Sequence, residues 1–95
     1  VDEQAILIGA GLSGLVAGAY LSRSGVSVDL FEQSAQIGGI TGGFQQNGYS
    51  WDMGQLNIEG LGAGESAGQV LDELGLRDRL TLHPAARLYA FPDFT

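Results

Sequence analysis

The string Gly9-Ala10-Gly11-Leu12-Ser13-Gly14 constrains this chain more than any other feature, because it sits where one backbone pattern ends and another begins. Before it, Ala5 to Ile8 is a short apolar run of the kind that forms a parallel strand buried on both faces. After it, Leu12, Leu15, Val16, Ala19 and Tyr20 recur at helical spacing, and Ser22-Arg23-Ser24-Gly25 supplies a stop. Val26 to Phe31 then reads as a second strand, parallel to the first, with Glu32 at its carboxyl end. A crossover of this length is right-handed in nearly all proteins, which sets the helix on one face of the pair.

Each glycine of the string answers a separate steric demand. Gly9 permits the tight turn, Gly11 lets the backbone touch a pyrophosphate, and Gly14 lets helix and strand pack closely, with Gly18 extending that contact. The N–H groups at a helix start lack intrahelical partners and point toward an anion, and the helix dipole adds attraction. The segment Gly9, Ala10, Gly11, Leu12, Ser13, Gly14 is therefore a candidate phosphate loop. With 16 glycines in 95 residues, a bare match would mean little. The strand before, the helix after, and an acidic residue at the next strand end supply the context that a dinucleotide site requires.

Glu32 is placed to accept hydrogen bonds from ribose hydroxyls and to repel a 2′-phosphate. Its neighbours Gln33 and Ser34, of which Gln33 belongs to the candidate site, bring no Arg for NADP. These residues leave FAD and NAD open.

Further on, Gly38-Gly39-Ile40-Thr41-Gly42-Gly43 is too glycine-rich for regular structure, and Asn47-Gly48 predicts a two-residue hairpin turn within Phe44 to Met53. Ser66 to Leu74 predicts a helix with Val70, Leu71 and Leu74 on one face and Gly75 as its stop. Leu82 to Phe91 reads as extended, interrupted at Pro84. The fold class expected is α/β: a partial Rossmann-like βαβ unit at 5–32, a glycine-rich loop and hairpin at 33–65, and a helix with the start of a further segment at 66–95.

Four Lys and Arg against eleven Asp and Glu give a formal charge of −7, so no basic patch exists for nucleic acid. Anionic lipid is disfavoured for the same reason, while capture of a membrane-dissolved apolar substrate stays open. The absence of cysteine excludes disulfides, thiolate metal sites and a cysteine nucleophile, and no histidine–carboxylate cluster suggests a metal. The acidic start lacks the basic segment of a signal peptide, and no apolar run reaches spanning length, so a cytoplasmic location is the expectation.

Ile6 to Glu32, followed by Ala35-Gln36-Ile37-Gly38-Gly39, resembles the N-terminus of the FAD-binding superfamily of amine oxidases, protoporphyrinogen oxidases and phytoene desaturases. The resemblance implies FAD as cofactor, with Gly38 and Gly39 as a second element near its phosphates; Thr41 and Ser13, hydroxyls in glycine-rich loops, fit contact with phosphate and simple solvation equally well. Gly48-Tyr49-Ser50-Trp51-Asp52-Met53-Gly54, Asp72-Glu73-Leu74-Gly75-Leu76 and Phe91-Pro92-Asp93 are similar to segments of phytoene dehydrogenases and retinol saturases, which implies an apolar polyene or retinoid-like substrate. Two positions depart from the pattern: Ile40 stands where amine oxidases carry Arg, and Gln55 where phytoene desaturases carry Pro. In those families several hundred further residues complete the site. The chain is thus expected to be the N-terminal piece of a larger flavin-dependent oxidoreductase, inactive and prone to self-association if isolated.

Among single residues, Trp51 is expected to pack in a core, Asp52 to cap local backbone as readily as to meet a cofactor, and His83 to be a surface residue; no catalytic residue is readable. Two other classes fit part of the pattern. A non-enzymatic prenyl-protein escort similar to Rab GDP-dissociation inhibitors would not need so complete a glycine string, and an NAD-dependent dehydrogenase would make Gly38-Gly39 incidental.

Overall fold

The computed structural model describes residues 2–54, 58–86, 88, 90 and 92. The first unit is a strand, helix and strand: β1 (Gln4–Ile8), α1 (Leu12–Arg23) and β2 (Ser27–Phe31). The strands pair in parallel, with Gln4 beside Ser27, Leu7 beside Leu30 and Ile8 beside Phe31. Backbone bonds extend the ladder past both ends, from Ser27 N–H to Glu3 at 3.0 Å and from Gly9 N–H to Phe31 at 2.7 Å. The helix stops as its sequence dictates, with Gly25 at φ +91° behind Ser24. The α/β class and the βαβ unit read from the sequence are thus present.

Strand alternation gives the sheet two unlike faces. Ala5, Leu7, Val28 and Leu30 lie half-buried on the face that α1 covers; Leu7 and Val28 lie against Gly18, and Leu30 against Gly14. On the opposite face Ile6, Ile8 and Phe31 are 67, 83 and 57% exposed. The expectation of burial on both faces therefore holds for one face only, the one on which α1 packs. Ala10, fully enclosed beyond the end of β1, is the one buried hydrophobic residue described.

A single 3₁₀ turn, Gly39–Thr41, leads into an antiparallel hairpin of β3 (Gly43–Gln46) and β4 (Tyr49–Asp52). Asn47 at φ 52° and Gly48 at φ 81° are the left-handed pair that a two-residue turn demands. Phe44 faces Trp51, and Gln46 faces Tyr49, so the aromatic residues share one side of the ribbon. That side is open: Trp51 is 55% exposed, which corrects the expectation of a core position, since no further layer covers the ribbon among the described residues. Asp52 is exposed and closes the hairpin opposite Gly43.

The second helix, α2 (Ser66–Glu73), ends at Leu74, with Gly75 at φ +69° as expected. A 3₁₀ turn, Arg77–Arg79, follows. Arg77 staples this end of the chain: it pairs with Asp72 and donates to the carbonyls of Leu61 and Gly68, each at 3.0 Å. Tyr20 on α1 donates its hydroxyl to Glu73 on α2, and Gln69 donates to the same carboxylate at 2.9 Å. From Thr81 to Ala86 the chain pairs with no strand, so the extended reading of 82–91 gains no sheet partner there; Arg87, Tyr89 and Phe91 lie outside the described residues, as do Asp93 and Gln55.

Candidate functional site

The turn from β1 into α1 divides its three glycines by physical role. Gly9 is at φ +102°, and a Cβ there would touch nothing, so backbone conformation alone demands glycine. At Gly14 the reverse holds: a Cβ would lie 1.9 Å from the Gly9 carbonyl oxygen, a contact no side chain survives. Gly11 has neither excuse. Its φ is −73°, ordinary for any residue, and a Cβ would meet no protein atom within 4 Å. Neither strain nor packing explains glycine at this position.

Gly11 caps α1, and no side chain satisfies the N–H groups of the first turn. They open onto a cleft of about 620 Å³ whose wall runs along Ile8, Gly9, Gly11, Leu12, Ser13 and Gly14. Leu12 is 58% exposed at its mouth, and Ser13 is exposed beside it. The opposing wall is Gly38, Ile40 and Thr41, with Ile58 and Glu59 at the edge. Among the described residues no Lys or Arg lines it, so an anion here would be held by backbone N–H groups and the helix dipole. A larger hollow of about 860 Å³ between 58–65 and 81–85 includes the exposed His83.

The second glycine element is fastened to the first. Gly38 N–H donates to the Ala10 carbonyl at 2.7 Å, and Gly11 and Gly38 form an isolated parallel bridge. Gly38 is at φ +108°, and a Cβ on Gly39 would come within 3.3 Å of the Gly11 Cα. The Thr41 hydroxyl donates to the Gly38 carbonyl at 2.6 Å, so its proton is spent inside the loop while its lone pairs remain available.

Glu32, half-buried directly after β2, spans two segments. Its Oε1 accepts the Ala10 N–H and its Oε2 the Ser34 N–H, both at 2.8 Å. The Ala10 donor first, and the Ser34 donor second, hold its carboxyl below the usual glutamate range. Gln33 is exposed on the bend beyond it, and Glu32 and Gln33 flank the loop instead of lining the cleft. Ala10 lies beneath the cleft, contributing backbone on both sides. The ten residues of the candidate site from Gly9 to Gly39, together with Thr41, thus fall around one loop pair. Sequence reasoning missed the Ala10–Glu32 bond and the Gly11–Gly38 bridge, because hydrogen bonds between distant segments leave no periodic trace. Gly68 was also missed. A Cβ there would stand 2.1 Å from the Gly62 carbonyl oxygen, and the glycines at 60, 62 and 64 were the available signal.

A family model described as "NAD(P)-binding Rossmann-like domain" matches residues 7–74. Protoporphyrinogen oxidase 2 of Arabidopsis thaliana, "chloroplastic/mitochondrial", is 36% identical over 77 residues, 81% of this chain and 15% of that protein. A 4,4′-diapophytoene desaturase of Staphylococcus haemolyticus is 42% identical over 48 residues, 50% of this chain and 10% of that protein. Among solved structures, an oxidoreductase from Methanosarcina mazei superposes with a TM-score of 0.67 at 30% identity, over 76% of this chain and 17% of that one. The protoporphyrinogen oxidase and the desaturase belong to the group that the sequence resembles. The chain spans less than a fifth of each of them.

Proposed function

This chain belongs to the NAD(P)-binding Rossmann-like domain family, and from that premise we propose that it is the N-terminal, FAD-binding part of a flavin-dependent oxidoreductase. The observation that carries the reading is Gly11, a glycine required by neither conformation nor packing and open to the cleft. A group approaching the backbone from outside accounts for it, and the pyrophosphate of a dinucleotide is such a group.

In this reading the N–H groups of α1's first turn, from Leu12, Ser13 and Gly14, hold the pyrophosphate, with Gly9 and Gly11 giving it access. Glu32 accepts the ribose hydroxyls of the adenosine half through lone pairs its backbone donors leave over, and its charge turns away a 2′-phosphate. Gln33 borders the adenosine side. Gly38, Gly39 and Thr41 form the facing wall. FAD, when bound, supplies the hydride chemistry, and the protein supplies position and electrostatics.

FAD is favoured over NAD by relatives that are a protoporphyrinogen oxidase and a diapophytoene desaturase, and by the second glycine element locked to the first. The desaturase relative supports an apolar polyene substrate for the whole protein, with the adenosine half bound here and the reacting centre built from other residues. The bare face of Ile6, Ile8 and Phe31 fits a sheet whose second face is covered in the complete protein, and an isolated fragment exposing it would self-associate.

Titrating FAD and NAD against the full-length protein tests this. The expected result is FAD at near equimolar stoichiometry and at least about tenfold tighter than NAD; tighter NAD binding would overturn the flavin assignment. Gly11→Val should abolish binding of either nucleotide while leaving the unfolding midpoint nearly unchanged, since its side chain meets no protein atom at Cβ. Binding retained in that variant would show the site to lie elsewhere.

A further inference from the structure

We propose that Glu32 is a positioning residue that clamps the glycine loop into its nucleotide-accepting shape, independently of any contact with ribose. The inference rests on the dinucleotide reading of the cleft and adds a role to one of its residues.

Ala10 lies between two glycines, and such a segment loses much backbone freedom when it is fixed in one shape. Both sides of Ala10 are nonetheless tied. Its N–H donates to Glu32 Oε1 at 2.8 Å, across 22 residues of sequence, and its carbonyl accepts from Gly38 N–H at 2.7 Å. Glu32 is itself held at two points, since Oε2 accepts from Ser34 N–H. Two anchored oxygens fix the carboxylate plane, so the clamp is formed before any ligand arrives, and the ordering cost is not charged to binding.

The chemistry of the clamp is specific to a carboxylate of this length. Both partners are donors, so both atoms at the end of the side chain must accept. A glutamine offers one oxygen and one NH₂, and the NH₂ would confront an N–H. Aspartate keeps the charge but is one methylene too short to keep both bonds at this spacing.

A ligand pair separates the clamp from ribose recognition. ADP and 2′,3′-dideoxy-ADP are titrated against full-length protein freed of nucleotide, wild type and Glu32→Gln, with site-resolved hydrogen exchange on the ligand-free proteins. The clamp predicts that E32Q weakens dideoxy-ADP about tenfold at unchanged stoichiometry, the scale of a lost charged hydrogen bond. That loss runs against simple Coulomb attraction, which would favour the anion once the carboxylate is gone. The Ala10 and Ser34 amides should also exchange faster. Equal dideoxy-ADP affinity in both proteins, with only ADP weakened, would overturn the clamp and leave the nucleotide site standing. If wild type binds neither ADP nor FAD, the proposed function fails, and the exchange arm still decides: unchanged Ala10 protection in E32Q refutes the clamp. Should E32Q not fold, Glu32→Asp retains the charge and is expected to show the same faster exchange; wild-type protection in E32D overturns the proposal.

Discussion

The two helices of this chain begin with the same steric device and come to different ends. In α1 the third residue is Gly14, under the carbonyl of Gly9; in α2 the third residue is Gly68, under the carbonyl of Gly62. A glycine-rich loop precedes each. Yet what stands over the helix start differs. Over α1 lies open cleft, with Gly11 bare. Over α2 the guanidinium of Arg77 donates to the Gly68 and Leu61 carbonyls, and the capping residue is the anion Glu65. The lesson is that a glycine tight against a carbonyl marks close packing, and only the space above the helix start distinguishes a ligand loop from a structural one.

Substitutions at matched positions test that distinction, and the largest effect belongs to Gly14→Ala. Its Cβ must displace a backbone carbonyl at the heart of the βαβ unit, so the loss should reach about 3 kcal/mol and nucleotide binding should vanish with it. Denaturant midpoints and flavin titration check both. Gly68→Ala meets an equivalent carbonyl but lies away from the cleft; roughly 2 kcal/mol should be lost while the affinity of folded protein for nucleotide stays within about twofold. A large affinity loss in G68A would make the two helix starts one site and break the comparison. Arg77→Met should lower the midpoint by less than G68A does, since Arg77 and Asp72 are partly solvent-exposed. Tyr20→Phe, which removes only the hydroxyl link between α1 and α2, should show the smallest shift, read most sensitively as faster exchange at the end of α2.

Proton linkage bears on both helix ends. The carboxyls of Glu32, Asp72 and Glu73 are held low, by the Ala10 N–H, the Arg77 guanidinium and the Tyr20 hydroxyl respectively as the leading causes. A carboxyl depressed in the folded state contributes stability that is complete above its unfolded pKa and is lost as pH falls through the folded value. Tyr20 is raised, chiefly by its bond to Glu73, so its contribution is complete below 10.0 and lost as pH rises beyond that. The unfolding midpoint should therefore hold from about pH 5 to about pH 9 and fall on either side. In E32Q the acid limb should be shallower; an unchanged limb would place the acid sensitivity in Asp72 and Glu73.

Much of the βαβ unit was legible because its signals are local. Helical spacing after Leu12, the stop at Gly25 and the apolar run ending at Phe31 place β1, α1 and β2 within a residue of their observed limits. Asn47-Gly48 specified its turn through two positive φ angles, and Gly75 specified the end of α2. The rest depended on partners distant in sequence. Trp51 read as core from its chemistry, but burial depends on a covering layer that a hairpin's own residues do not encode. The apolar run at Ala5–Ile8 read as doubly buried, whereas one of its faces is open. Glu32 was legible as an acid at a strand end; that its oxygens hold Ala10 and Ser34 follows from β2 ending beside the loop.

The bridge between Gly11 and Gly38 also bears on how the two glycine motifs tolerate change. The Gly11 Cα and the position a Gly39 Cβ would take are 3.3 Å apart, so a side chain on Gly39 presses on the Gly11 backbone, whereas one on Gly11 meets no protein atom at Cβ. Substitution at Gly39 should then disturb the Gly11 loop as well as its own. Motifs far apart along the chain would be inherited, or lost, as a single unit of variation.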